Sequence, residues 1–150
     1  AGTGGTISGV SRFLKQKKPG VHVVCVEAAE SRVLAGKDAF RPVSHGLTGI
    51  SFGMALPLID REVEEGHCTP AAIEASERGV KYPGVIDAFA EVPSSKGIAM
   101  AKRLAEQEGL SVGPTSGAAC VAALELAAQP ERQGQTIVVI FSSAGSRYFQ

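Results

Sequence analysis

Three short runs of apolar, largely β-branched residues punctuate the chain: VHVVCVE at 21–27, VIDAFAEV at 85–92 and TIVVIF at 136–141. Each is too short for an ordinary helix and reads as a strand with little access to water. The stretches between them carry a different period. SSKGIAMAKRLAEQEG at 94–109 places Ile98, Ala101, Leu104 and Ala105 on one helical face and stops at Gly109. TSGAACVAALELAAQ at 115–129 is small and apolar almost all round, which predicts a buried helix. Strands that alternate with helices require a mostly parallel sheet covered on both faces, so the predicted fold is α/β, a three-layer sandwich. Two more short helices are expected at 54–66 and 69–79, the second with Pro70 in its first turn. Residues 28–53 read as a loop-rich stretch, with weak helix signals only at 31–34 and glycines 46, 49 and 53, a suitable wall for a ligand.

Composition narrows the function. A chain of 150 residues can bury a core, and 44% hydrophobic residues with 18 glycines suit a globular α/β protein. Lysine plus arginine equals aspartate plus glutamate at 15 each, so no net field draws the chain to nucleic acid or an anionic membrane. No apolar run approaches the roughly 20 residues that span a bilayer. Cys25, Cys68 and Cys120 form no CxxC pair, and reduced thiols in a cytosolic or organellar setting are expected. His22, His45 and the adjacent His67 and Cys68 lack productive metal-ligand spacing, so no metal site is expected. There are no repeats, and no linker divides the chain.

The chain opens on AGTGGT at 1–6, followed by helical spacing at Ile7, Val10 and Leu14, with Thr6 as the expected cap. Lys15, Lys17 and Lys18 suit the C-terminus of that helix, and Pro19-Gly20 stops it. Amides without side-chain bulk, set before a helix, form an anion cradle, and Thr3 and Thr6 add hydroxyl donors. The bland alternative is a tight glycine turn. A Walker A loop is disfavoured because Val10 stands where lysine must be, one residue after Gly9. A dinucleotide fingerprint fits at Gly2 and Gly4 but meets Ile7 at its third glycine, while Glu27 stands where a ribose-binding acid belongs. A second glycine turn enters a helix at 113–116, where Thr115 and Ser116 either cap the helix or hold a ligand atom.

GTGGTISGVSRFLK, VVCVEAAESRVL, HGLTGI, AMAKRLAEQEGLSVGPTSGAA and the closing SSAGSRY follow one another in the order of a known family. The chain resembles cysteine synthase (O-acetylserine sulfhydrylase) and cystathionine β-synthase, fold-type II pyridoxal-phosphate enzymes. The resemblance is weakest across 62–95, where EEGHCTPAAIEASERGVKYPG diverges. It implies pyridoxal 5′-phosphate as cofactor, with Gly2, Thr3, Gly4, Gly5 and Thr6 on its phosphate. It implies that the Thr115 hydroxyl meets the pyridine nitrogen, and that Gly49 and Ile50 lie beside an amino-acid substrate. Ser51 stands where the family pattern often has glycine. The implied reaction is β-replacement: an activated serine loses its leaving group to give aminoacrylate, and sulfide or a thiol adds.

The resemblance also implies that the lysine carrying the cofactor as a Schiff base lies outside this chain. Lys15, Lys17, Lys18, Lys37, Lys81, Lys96 and Lys102 match no such motif. The chain is therefore expected to be the C-terminal portion of a larger cytoplasmic enzyme, homodimeric in full length. Alone it is expected to be inactive and prone to aggregate. Two readings remain beside this one: an NAD-type dinucleotide-binding module on Gly2, Gly4 and Glu27, and a non-catalytic scaffold of the same fold.

Overall fold

A computed structural model describes residues 1–38, 41, 43–53 and 86–148. Among them are helices α1 (Gly5–Lys17), α2 (Ser94–Glu108) and α3 (Pro114–Ala127), and strands β1 (Val24–Ala28) and β2 (Ala88–Val92). Short 3-10 turns follow at Pro130–Arg132 and Gly145–Arg147. The helices expected at 54–66 and 69–79, and with them Cys68 and Lys81, lie outside the described residues.

β1 and β2 pair as neighbours. The Val23 carbonyl accepts from Asp87 N at 2.9 Å, and the Val92 carbonyl accepts from Ala29 N at 3.0 Å. Both strands advance together through these bonds, so the pair is parallel, as the α/β expectation requires. The third expected strand does not form. Residues 136–141 belong to no strand, and Val138 is 83% exposed. β-branched residues favour an extended backbone, but a strand exists only where a ladder supplies partners. Among the described residues none supplies one.

Backbone contacts gather the chain into two compact units. The first comprises Ala1–Glu27, Ser31–Val43 and Gly49–Ala90; the second comprises Ala28–Glu30, Ser44–Thr48 and Glu91–Gln150. Each unit is assembled from separate segments, so no linker in the sequence announces the division.

The first unit buries Cys25, Leu34 and Ile86, with Ala1, Ile7 and Phe89 packed against them. Cys25 is a free thiol whose pKa burial pushes up, in keeping with an inert core residue. α1 departs from its expected face. Ile7 packs inward, but Val10 and Leu14 are exposed, and the buried positions are Ser8 and Ser11. Small side chains let the helix approach closely, and the Ser8 hydroxyl is satisfied by donating to Gly5 O at 3.3 Å. The far end of α1 is tied by Asp87, whose carboxylate takes the Lys15 ammonium and, at 2.7 Å, the Val23 amide. Burial alone would raise the Asp87 pKa. The bonds from Lys15 and Val23 outweigh it and hold the carboxyl below its ordinary value.

The second unit is a crossing of α2 on α3 made by two glycines. A Cβ on Gly117 would lie 2.1 Å from the Gly97 carbonyl oxygen, and one on Gly97 would lie 3.0 Å from Pro114 O. Ala101, Leu104 and Val112 are buried beside this contact, with Met100 and Cys120 against them. α2 buries Ser94, Gly97, Ala101 and Leu104, so the face is rotated from the expected one. Ile98 is half-buried and Ala105 is exposed, because the glycine contact sets the azimuth of the helix. α3 is buried over its first half only, and Leu124 is 51% exposed. Gly109 ends α2 as expected, at φ +69, with its amide and that of Leu110 both returned to Leu104 O.

Candidate cofactor site

The opening loop lies in the first unit. Ala1 N donates to the Val26 carbonyl at 2.7 Å, which lays the loop's start along β1. The helix begins at Gly4, the N-cap, in the left-handed region at φ +86. A side chain would strain there, so glycine at this position is a backbone requirement. Thr6, the expected cap, lies instead in the first turn of α1 and is exposed, and no side chain caps the helix. Thr3 is also exposed, and its hydroxyl accepts from Gly5 N at 3.4 Å.

Two features make this loop fit a phosphate. The first-turn amides of α1 have no acceptor within the helix, and no acidic residue stands in that turn to compete with an anion. The second feature is the tightness of the cradle at Gly2. A Cβ there would lie 2.6 Å from Gly49 O and 3.8 Å from the Phe52 ring. Ala1 O accepts from Ser51 N at 3.2 Å, which holds residues 49–51 on the loop. So the structure brings Gly2 and Gly49, expected on phosphate and substrate respectively, into direct backbone contact. Ile50 is half-buried between Gly49, at φ +99, and Ser51. Ser51 is 4% exposed and stands at φ +53, the one non-glycine with positive φ among the described residues.

Thr115 lies in the second unit. The N-cap of α3 is Gly113, with no side-chain cap, so neither Thr115 nor Ser116 performs the capping role. Both hydroxyls turn to Ser143, at 3.2 Å from Thr115 Oγ1 and 3.3 Å from Ser116 Oγ. Backbone bonds fix Ser143 there: Gly113 N donates to Ser143 O at 2.9 Å, and Gly145 N to Ser111 O at 3.0 Å. Val112 and Ala144 form an antiparallel bridge between these bonds. Gly113 has to be glycine, since a Cβ there would lie 2.4 Å from Ser143 Oγ and 2.6 Å from the Tyr148 ring. Ser143 lies in the closing SSAGSRY of the resemblance, which assigned it no role.

Glu27 does not serve a ribose. It is fully buried, and its two carboxylate oxygens accept from Leu34 N at 2.8 Å and Ala35 N at 2.9 Å. The dinucleotide reading thereby loses the acid that supported it. Glu30, in the second unit, accepts from Ser94 N at 2.9 Å at the start of α2. Burial pushes the Glu30 pKa up, but the bonds from Ser94 prevail and lower it. The Ser94 hydroxyl in turn accepts from Gly46 N at 3.0 Å. Among the described residues no cluster of His, Cys, Asp and Glu could hold a metal ion, and no helix is long and apolar enough to cross a membrane.

Comparison with known proteins gives a consistent result. The family model described as "Pyridoxal-phosphate dependent enzyme" matches residues 1–143. Cysteine synthase 3 of Caenorhabditis elegans is 32% identical over 148 residues, which is 99% of this chain and 36% of the relative. A cysteine synthase of Staphylococcus aureus is 31% identical over 147 residues, 98% of this chain and 39% of the relative. The chain thus spans well under half the length of these relatives. Among solved structures, O-acetyl serine sulfhydrylase isoform 3 from Entamoeba histolytica superposes with a TM-score of 0.78 at 34% identity, covering 99% of this chain and 37% of that one. The O-acetylserine dependent cystathionine beta-synthase of Helicobacter pylori gives 0.72 at 29% identity, covering 99% of this chain and 40% of that one.

Proposed function

The chain belongs to the pyridoxal-phosphate dependent enzymes, and from that premise we propose that it forms the cofactor-holding part of a cysteine synthase-like enzyme. The reaction is β-replacement on an activated serine, with sulfide or a thiol as the incoming group. The observation that carries this reading is the glycine loop at the start of α1. Its first-turn amides have no acceptor within the helix, the Gly5 amide reaching the Thr3 hydroxyl at 3.4 Å, and its first turn bears no acid.

In this reading Gly2, Thr3, Gly4, Gly5 and Thr6 hold the cofactor phosphate through amides and hydroxyls. Gly49 and Ile50 sit by the amino-acid substrate, and the contact of Gly2 with Gly49 couples the placement of the two. Pyridoxal phosphate supplies an electron sink for loss of the α-proton and departure of the β-substituent. Thr115 offers a neutral hydroxyl to the ring nitrogen. A hydroxyl, unlike a carboxylate, does not hold that nitrogen protonated, which favours prompt expulsion of the leaving group over a long-lived carbanion. No lysine of this chain matches the position that carries the cofactor. The 150 residues alone are therefore expected to make no cysteine from O-acetylserine and sulfide.

The test is Thr6→Glu in the full-length protein that carries this chain. Thr6 is exposed in a helical first turn, where glutamate is well tolerated. The variant should fold normally and lose pyridoxal phosphate affinity at least tenfold, read by titration of the cofactor absorbance. Unchanged affinity would place the phosphate elsewhere and overturn the reading.

A further inference from the structure

We propose that Phe52 shields the phosphate end of the cofactor site from water and so sets the protein's preference for a phosphorylated cofactor. This rests on the reading of residues 2–6 as the phosphate cradle and deepens that reading.

A cradle of bare amides has a weakness. Glycine gives an anion close access to the backbone, but it brings no bulk to keep water away. Residues 1–6 carry no large side chain of their own. Thr3 and Thr6 are exposed, and Gly5 is half-buried. Ile7, the first large side chain of α1, packs inward on the core of Cys25, Leu34 and Ile86. Bulk on the loop has to come from another segment.

Phe52 supplies it. Its Cε2 is the side-chain atom nearest to a Cβ built on Gly2, at 3.8 Å, with the Gly49 carbonyl oxygen beside it. The ring therefore packs on the Gly2 backbone. Phe52 is 46% exposed, while its neighbours Ser51 and Gly53 are buried. Backbone conformation accounts for that contrast. Gly49, Ser51 and Gly53 stand at φ +99, +53 and +73, so the chain curls tightly on both sides of Phe52 and lifts one ring from among buried neighbours. The Ser51 amide donates to Ala1 O at 3.2 Å and ties the curl to the loop. A serine persists in the left-handed region only where its surroundings determine it, and here it fixes the residue that carries the ring. An apolar ring beside the cradle displaces water and lowers the local dielectric, which strengthens each bond from an amide to a charged acceptor. The gain falls on the phosphate, and a cofactor without that group receives little of it.

The experiment uses the full-length protein freed of cofactor, and two probes. One is pyridoxal phosphate. The other is pyridoxal, which keeps the ring and the aldehyde but carries a hydroxyl in place of the phosphate. The readout is the ratio of their dissociation constants, from titration of the absorbance. Wild type should prefer the phosphate ester. Phe52→Ala should reduce that preference about tenfold, the scale of one charge-assisted hydrogen bond weakened by half, with the affinity for pyridoxal unchanged. Phe52→Leu, which returns apolar bulk, should recover most of the preference and guards against a folding defect peculiar to the alanine variant. Inorganic phosphate should compete less well against pyridoxal phosphate in Phe52→Ala than in wild type. A Phe52→Ala ratio equal to wild type, or an equal loss of affinity for both probes, in protein of native circular dichroism, overturns the proposal. A wild-type protein that binds both probes equally overturns the phosphate reading of the glycine loop itself, a separate and recognisable failure.

Discussion

Two glycine-to-alanine changes, both inside helices, should move stability in opposite directions. Gly117 and Gly9 each stand in a helical interior, where alanine is favoured by about 1 kcal/mol. At Gly9 nothing lies within 4 Å of the added Cβ, so Gly9→Ala should gain close to that full amount. At Gly117 the new Cβ would meet Gly97 O at 2.1 Å, Ala101 N at 2.7 Å and Ala101 Cβ at 3.1 Å. The first two are backbone atoms and cannot rotate away. α2 and α3 must separate by about an ångström, which forfeits much of the dispersion between them over the whole crossing. Overpacking of this kind costs about 3 kcal/mol or more, and the helix-propensity gain offsets about 1. The net expectation for Gly117→Ala is a loss of about 2 kcal/mol, against a gain of about 1 for Gly9→Ala. Urea unfolding followed by far-ultraviolet circular dichroism measures both. If Gly117→Ala matches or exceeds wild type, the crossing is wider than described and the reasoning fails.

Three further outcomes are expected. Ser51 holds φ +53, so Ser51→Gly should stay within about 0.5 kcal/mol of wild type, while Ser51→Val should lose about 2 kcal/mol in the same unfolding assay. Glu27→Gln replaces an acceptor-only carboxylate that takes two amides by a group with one carbonyl, and should cost about 3 kcal/mol. Asp87 and Glu30 have lowered pKa values when folded. Their contribution is complete above the ordinary carboxylate range and lost as pH falls through the folded values. Denaturation midpoints should therefore drop below about pH 4, and Asp87→Asn should flatten that limb. An acid limb unchanged by Asp87→Asn would contradict the Lys15 and Val23 contacts.

Periodicity and punctuation made α1, α2, α3, β1 and β2 legible, because each is specified by local apolar spacing and glycine stops. Ser143 was not, since its role depends on two segments zipped together by backbone bonds that no local pattern encodes. The same holds for the inward faces of α1 and α2. Ser8, Ser11, Gly97 and Gly117 are chosen for smallness at a close approach, and a hydrophobicity count assigns such positions to solvent. Residues 136–141 failed as a strand for the opposite reason. Their composition suits a ladder, but a ladder is a property of two segments. The glycine loop was legible as a turn that enters a helix and was misread in its cap. Gly4 at φ +86 begins the helix with a backbone conformation, where a threonine side chain had been expected.

Ser94 gathers three stretches of chain at one residue: its amide goes to Glu30, and its hydroxyl takes the amide of Gly46. Fraying of the first turn of α2 must release the Gly46 amide in the same event. Hydrogen–deuterium exchange should therefore find Gly46 and Ser94 opening together as one cooperative unit, and Ser94→Ala should accelerate exchange at Gly46 while leaving Leu104 slow.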